Sequence, residues 1–247
     1  MKKFINIVLN NIICIFPIKN LLASLVMFIA INFLTNNIYP INNINDLFKY
    51  TFYGTKNLSD LPIELLKWIL CNTFLIYLVL NFVNTEFEKR VQLTILRIGS
   101  RRIWINGIVI SILISCFIYF ILGSIILVGL NFKLVLGAMN FLEILKIIVL
   151  MSLSSLPICL IGLLLYLMIK TKFVIFSIIV FLYYLCISIG NTNRFLDKFL
   201  IFNQGILAKH YYSNFSFEWS YFYTLTFSFI LYFIIKRFVV NYDFKQI

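Results

Sequence analysis

An all-α, polytopic membrane protein with six transmembrane helices is the fold class that the sequence predicts, from three observations. The 247 residues are 62% hydrophobic and only 12% charged, whereas a soluble domain carries about 25% charged residues. Apolar runs near the ~20 residues that cross a bilayer occur six times. Seven charges are gathered in one short segment, NTEFEKRVQLTILRIGSRRIW at 84–104, between the second and third runs.

The six runs predict a single transmembrane domain over residues 1–247, because the chain leaves no room for a second, soluble domain. They lie at 18–38, 63–83, 103–130, 141–169, 173–190 and 219–240. The third and fourth runs exceed the length that a bilayer needs, so we expect those helices to tilt or to extend beyond the hydrocarbon. The sequence KTK separates runs four and five and predicts a tight turn.

The first 17 residues predict a helix that lies in the membrane interface rather than a signal peptide. Three asparagines interrupt the apolar stretch, and no small-residue cleavage site follows it. On a helix, Lys3, Asn6, Asn10 and Cys14 form a polar stripe on an otherwise apolar cylinder, and Pro17 is expected to end it. The alternative is a short structured tail that only anchors the chain.

The distribution of Lys and Arg predicts that both termini are cytoplasmic. With six spans and a cytoplasmic N-terminus, thirteen of the 21 basic residues fall on the inner side and eight on the outer side, in the sense of the positive-inside rule. The net charge of +12 is then explained by attraction to anionic lipid. It implies no nucleic-acid partner.

Two long segments, 39–62 and 191–218, are assigned to the outer side. The second contains FLDKFLIFNQGILAKHYY at 195–212, which is too apolar for a free loop and too short and polar for another span. Two interpretations of 191–218 stay open. It forms short re-entrant helices that dip into the outer leaflet, or it is a packed extracellular loop with no gating role.

Motifs for nucleotide binding and hydrolysis are absent from the sequence. It has no G-x-x-x-x-G-K-[ST], no H-E-x-x-H and no G-x-S-x-G. The single histidine, His210, is expected to be a polar surface residue. The scattered cysteines are expected to be apolar packing residues rather than disulfides or metal ligands; they are Cys14, Cys71, Cys116, Cys159 and Cys186. We therefore predict no catalytic residue, metal ligand or cofactor in this chain.

Ionisable residues inside membrane spans are the usual functional candidates, and here they form two pairs near predicted outer ends. Glu64 and Lys67 are three residues apart, as are Glu143 and Lys146. Each pair is expected to meet on one helix face and to snorkel towards water. No carboxylate is predicted at mid-depth, which argues against proton- or sodium-driven transport. Energy for transport would then come from another subunit.

The charged segment predicts a separately capped helix over residues 85–98. Thr85 followed by Glu88 fits a capping box, in which the hydroxyl accepts from the Glu88 amide and the carboxylate reaches back. Gly99 stands where a helix C-terminus favours a left-handed residue. Ser100 is then expected to cap the third span.

This predicted helix has two apolar faces. Phe87, Val91, Ile95 and Ile98 fall on one side at 100° per residue, and that side is expected to lie against the membrane or the ends of the spans. The opposite side carries Lys89, Gln92, Leu93 and Leu96. Two leucines among polar groups on a cytoplasmic face favour a docking surface for a partner. The alternative is packing against the chain's own N-terminal helix or tail.

Together these features resemble the permease subunits of type 2 ABC transporters. The shared architecture covers the whole chain: six spans, an interfacial N-terminal helix, a basic helix between spans two and three, and a large last outer loop. LRIGSRRIW at 96–104 is similar to the R-x-G-S-R-x-x-W pattern of small permeases from Gram-positive bacteria. Many of those permeases are linked to antimicrobial peptide export or self-protection.

The resemblance implies a two-fold assembly in the bacterial cytoplasmic membrane. Each permease would rest on a separate ABC ATPase that binds ATP and Mg, and the second permease would be an identical copy or a related chain. The helix over 85–98 would be the coupling helix, and spans one, two and five would line the substrate path. The implied docking residues are Lys89, Gln92, Leu93 and Leu96, with Glu86, Glu88 and Arg97 at the rim.

The sequence thus favours a permease subunit of an ATP-driven exporter for a peptide or another amphipathic molecule, with no ATPase site of its own. A second hypothesis is a non-transporting immunity or sensor protein that binds a peptide at its outer surface through 191–218. A substrate-binding subunit of a vitamin importer also has six spans. This chain, with nine glycines, lacks the small-residue motifs through which such subunits reach their partner.

Overall fold

The computed structural model describes residues 2–55, 62–135, 140–212 and 215–241, and this part of the chain is helical, without strands. Its α-helices follow in chain order: α1 (Lys2–Ile15), α2 (Ile18–Ile38), α3 (Ile44–Thr51), α4 (Pro62–Thr85), α5 (Val91–Ile98), α6 (Arg101–Leu130), α7 (Phe132–Val135), α8 (Phe141–Ile169), α9 (Lys172–Thr192), α10 (Arg194–Asp197), α11 (Leu207–Tyr212) and α12 (Phe217–Asn241). A π-turn over Glu86–Arg90 joins α4 to α5, and a 3₁₀ turn over Ile201–Asn203 precedes α11.

Six of these helices are long and apolar enough to cross a bilayer. They are α2, α4, α6, α8, α9 and α12, which we call spans one to six. The predicted all-α class and the six spans are therefore confirmed. The tight turn between spans four and five is confirmed too, because Lys170 ends α8 with a φ of 61° and α9 begins at Lys172.

Span four lies at the centre of the bundle. It packs against spans two, three, five and six. Of the residues in its most apolar 18-residue stretch, 72% are buried. The corresponding share is only 28% for spans one, five and six. These outer spans therefore turn apolar side chains such as Phe33, Phe181 and Phe229 outwards, where lipid or another protein chain can cover them.

Helices α1 and α2 both pack closely on span three at glycines. A Cβ at Gly107 would meet the side chain of Ile7 on α1, and a Cβ at Gly123 would overlap the ring of Phe28 on α2. Small residues allow helices to approach closely in membranes, where packing is a main source of association. The N-terminal helix is thus held against the bundle.

Helix α1 carries the pattern predicted for an interfacial helix. Asn6 and Asn10 are exposed, and the helix ends just before the proline, as predicted. The apolar side chains exposed on α1 are Ile5, Leu9 and Ile13. Cys14, the last position of the predicted polar stripe, is half-buried, and the side chain of Lys3, the first position, lies outside the described residues.

The two ends of the bundle are formed by different structural elements. Side-chain bonds at one end join Lys172 to Asn81 (3.0 Å) and Arg101 to the carbonyl of Val240 (3.2 Å). We call residues 86–98 the elbow, and this end the elbow end. The opposite end holds α3, the start of spans two, four and six, and the 193–212 segment, which contains α10, the 3₁₀ turn and α11.

Candidate functional site: the elbow

The elbow extends span two instead of forming a separate helix. α4 runs to Thr85 and passes without a break into the π-turn Glu86–Arg90, and α5 follows. π-turns are rare in proteins and occur often at functional sites.

The predicted capping box at Thr85 is wrong. Thr85 has helical dihedral angles, and its hydroxyl donates to the carbonyl of Asn81 at 2.9 Å. The Glu88 carboxylate accepts from the side chain of Asn84 at 2.8 Å. Because the helix does not begin at Thr85, no free amide is available for its hydroxyl, and the hydroxyl bonds back to the preceding turn.

The predicted end of the elbow is confirmed. Gly99 has a φ of 75° and a ψ of 3°, and its N–H donates to the carbonyl of Ile95 at 2.8 Å. This left-handed conformation favours glycine because it has no Cβ. Ser100 occupies the N-cap position of span three with extended dihedral angles, but its side chain makes no capping hydrogen bond.

The inner face of the elbow matches the prediction. Phe87 and Val91 are buried, and Ile95 and Ile98 are partly buried against the same core. This face lies on the start of span three, which α5 contacts. The apolar spacing in the sequence therefore identified the correct face.

Glu86 belongs to this inner face, not to a docking rim as predicted. Its exposed fraction is 2%, and its Oε1 accepts from the indole N–H of the fully buried Trp104 at 3.0 Å. A carboxylate buried among apolar groups needs such a hydrogen bond to offset its lost hydration. Glu86 is therefore unavailable to a partner and instead ties the elbow to span three.

An aromatic contact extends this attachment to span four. The Phe87 ring lies 5.0 Å from that of Trp104 and 5.7 Å from that of Tyr166, measured between ring centroids. The hydroxyl of Tyr166 donates to Asn84 Oδ1 at 3.1 Å. Span four is thus bonded to the last turn of span two beside the elbow.

The outer face of the elbow presents an exposed leucine. Leu96 is 79% exposed, the highest value among the described exposed large hydrophobic residues. Glu88 and Arg90 in the π-turn are also exposed, and Arg90 donates to Cys14 Sγ on α1 at 2.7 Å. The other predicted docking side chains lie outside the described residues; they are Lys89, Gln92, Leu93 and Arg97.

At the opposite end, one of the two predicted ion pairs forms. Lys67 lies 2.6 Å from Glu64 and also donates to the carbonyl of Tyr50 at 3.2 Å. Both partners are buried, so the expectation that they snorkel to water is wrong. The Glu143–Lys146 pair is also wrong: Glu143 accepts from the hydroxyl of Tyr211 at 2.8 Å, and Lys146 is exposed.

The 193–212 segment contains a buried ion pair that the sequence analysis missed. Asp197 pairs with Lys209, and Asn203 donates both to Asp197 Oδ1 (2.6 Å) and to the carbonyl of Cys186 (2.8 Å). Gly190 leaves room for this cluster, because a Cβ there would overlap Asp197 and Asn203. Burial lowers the pKa of Lys209, and its bond to Asp197 opposes that shift.

His210 is half-buried rather than a surface residue. Its Nε2 donates to the carbonyl of Gln204 at 2.9 Å, and its ring lies 4.6 Å from that of Phe217. Burial lowers its pKa below the ordinary value. Residues 201–209 are all buried, so this second part of the segment is packed, whereas residues 193–196 are exposed.

At the elbow, a buried inner face contacts spans three and four, and an exposed leucine lies on the outer face. Among the described residues, no group of three or more His, Cys, Asp or Glu could hold a metal ion. The five cysteines are free, and three of them are buried in the core. No protein-family model matches the chain, and a comparison with curated proteins finds no match either.

Proposed function

We propose that this chain is the membrane-spanning permease subunit of an ATP-driven ABC exporter, with ATP hydrolysed by a separate subunit. The observation that carries the proposal is the elbow. Its inner face is bonded to spans three and four through Glu86 and Phe87, while Leu96 stands exposed on its outer face. A rigid helix with one face fixed and an apolar residue presented outwards is suited to receive movement from a partner.

The exposed leucine gives the proposed contact its energy. Burying a leucine side chain contributes about 1.5–3 kcal/mol, and apolar residues at the centre of an interface usually dominate binding. The elbow end also carries the larger share of the basic residues of the chain, which supports a cytoplasmic position for this end and for both termini. An ATPase would reach it there.

The outer spans support an assembly with a second permease, identical or related. Spans one and five flank span two, and all three expose apolar side chains such as Phe33, Tyr77 and Phe181. Tyr77 on span two contacts Phe176 on span five, with ring centroids 6.3 Å apart. An apolar, aromatic path favours a peptide or another amphipathic molecule over sugars or ions as cargo.

The test is to purify the tagged chain with its ATPase subunit from native membranes and to measure ATP hydrolysis. We expect Leu96→Asp to abolish association and ATP turnover, because a carboxylate cannot be buried in an apolar contact without a partner. Leu96→Met should preserve both, since it conserves apolar volume. Leu142→Asp is the matched control: Leu142 is also exposed but lies at the opposite end.

An unchanged association and ATP turnover in Leu96→Asp would overturn the docking proposal. Loss of both in Leu142→Asp as well would show a general loss of folding, which thermal unfolding of each variant in detergent detects independently. Only a loss confined to Leu96→Asp supports the elbow as the ATPase contact.

A second candidate function is a membrane immunity or sensor protein that binds a peptide at the opposite end. One observation favours it: Phe195 and Phe199 are exposed on the 193–212 segment, and exposed apolar patches often mark binding sites. Protection of cells against an antimicrobial peptide separates the candidates. The exporter requires an active ATPase for protection, whereas a binding protein protects cells whose ATPase is inactivated.

A further inference from the structure

Span four connects the elbow to most of the bundle. It packs against four other spans, and its elbow end carries Tyr166, which contacts Phe87 and bonds Asn84. Its opposite end carries Glu143, which accepts from Tyr211 in α11. A displacement of span four would therefore be transmitted to the neighbouring spans and to the 193–212 segment.

The link between the elbow and span four depends on the position of Phe87. This ring is held between Trp104 and Tyr166, and the neighbouring Glu86 is fixed by the Trp104 indole N–H. Packing alone would allow the elbow to slide across span three, since apolar contacts have no preferred direction. A buried charge-assisted hydrogen bond does not allow this, because moving the carboxylate away leaves it without its donor.

We propose that Trp104 is a positioning residue: its indole N–H locks Glu86, so that displacement of the elbow moves span four through Phe87 and Tyr166. This inference rests on the proposed function, in which a bound ATPase displaces the elbow. It adds a specific route, which runs into the central span and not only into the two spans that the elbow joins.

The experiment uses the chain with its ATPase subunit in lipid nanodiscs, with hydrogen–deuterium exchange measured with and without a non-hydrolysable ATP analogue and Mg²⁺. Exchange in residues 87–98 reports the elbow, and exchange in residues 141–147 reports the far end of span four. In the unaltered chain we expect the nucleotide to change both. In Trp104→Phe we expect the change at 87–98 to remain and the change at 141–147 to fall to background.

Two further variants separate a hydrogen-bond lock from simple packing. Glu86→Gln removes the charge but keeps an acceptor, so we expect Trp104→Phe to have a smaller effect in that background. Tyr166→Phe keeps the ring that contacts Phe87 and loses only the bond to Asn84, so we expect the change at 141–147 to remain. Glu86→Gln alone keeps the proposal testable if Trp104→Phe does not fold: its neutral acceptor should weaken the bond to Trp104 and reduce the change at 141–147, and an undiminished change there would overturn the inference.

Trp68→Phe is the matched control. Trp68 is a buried tryptophan at the opposite end whose indole N–H donates to the carbonyl of Gly205 at 3.4 Å, and this variant should keep both responses. A response at 141–147 that survives Trp104→Phe would overturn the inference while leaving the proposed function intact. Loss of both responses with the ATPase still bound would also overturn it, because Trp104 would then serve docking. No response at 87–98 in the unaltered chain would contradict the proposed function itself.

Discussion

The elbow and the 193–212 segment both connect membrane spans and both mix charges with apolar residues, yet they differ in which of these residues are exposed. The elbow leaves Leu96 and Glu88 exposed. The 193–212 segment buries residues 201–209, including Lys209, which pairs with Asp197. The elbow continues a span as a π-turn followed by an α-helix, so one of its faces must point away from the bundle. The other segment consists of short turns that fold back onto the spans.

The difference shows that charge density in a sequence does not identify the buried charges of a membrane protein. A charge on a regular helix is exposed or buried according to its face. In a segment of short turns, the packing of the segment against the spans determines whether a charge is exposed or buried. We therefore expect substitution of the exposed Leu96 in the elbow to affect partner binding, and substitution of the buried Asp197 or Lys209 in the 193–212 segment to affect stability.

The largest effect on stability is expected at Asp197. Asp197→Ala leaves Lys209 buried without its ion-pair partner, which should cost about 3–5 kcal/mol in free energy of unfolding. Glu88→Ala in the elbow, where the carboxylate is exposed, should change it by less than about 0.5 kcal/mol. Denaturant unfolding in detergent micelles measures both. Similar losses for the two variants would contradict the contrast between the regions.

A smaller effect is expected at Gly99, where the elbow ends. Gly99→Ala should destabilise the chain by about 1–2 kcal/mol, because a Cβ is unfavourable at a φ of 75°. A Cβ at Gly99 would meet no atom within 4 Å, and the same holds for Gly129 in span three. Gly129→Ala should therefore stabilise the chain by about 0.5–1 kcal/mol. Thermal unfolding of the two variants should shift in opposite directions; a shift in the same direction would contradict the backbone argument.

His210 should make the 193–212 segment sensitive to pH. Burial lowers its pKa in the folded chain, so the unfolded chain takes up a proton first as the pH falls below about 6.5. Stability should therefore decrease as the pH falls through this value and should level off below the folded pKa. Unfolding measured across this range should lose that component of the slope in His210→Gln. An unchanged slope would show that another group titrates.

The smallest effect is expected at Thr85. Its hydroxyl bonds back within the helix, so Thr85→Val should change the free energy of unfolding by less than about 0.5 kcal/mol. Asn43 is the matched control, because its side chain caps α3 by accepting from the amide of Asp46 at 2.8 Å. Asn43→Ala should cost about 1 kcal/mol. Equal losses would restore the idea that Thr85 caps a helix.

Features of the spans and of the elbow that depend on residues close together in the sequence could be predicted. The six spans follow from apolar runs of sufficient length, and the left-handed end at Gly99 follows from one residue type at one position. The buried face with Phe87 and Val91 follows from helical spacing. Each of these features is decided within a few residues along the chain.

Features that depend on distant residues could not be predicted. The bond between Glu86 and Trp104 joins residues 18 positions apart, and the bond between Glu143 and Tyr211 joins residues 68 positions apart. The π-turn has no sequence pattern of its own. Because it continues span two, no helix begins at Thr85, and the predicted capping box does not form. In each case the partner becomes known only when the bundle is assembled.

The most direct test of the central claim is photo-cross-linking from position 96 in native membranes. A photoreactive amino acid in place of Leu96 should link the chain to an ATP-hydrolysing subunit, whereas the same group in place of Leu142 at the opposite end should not. Mass spectrometry of the linked product identifies the partner. A product from position 96 that contains no ATPase would contradict the account.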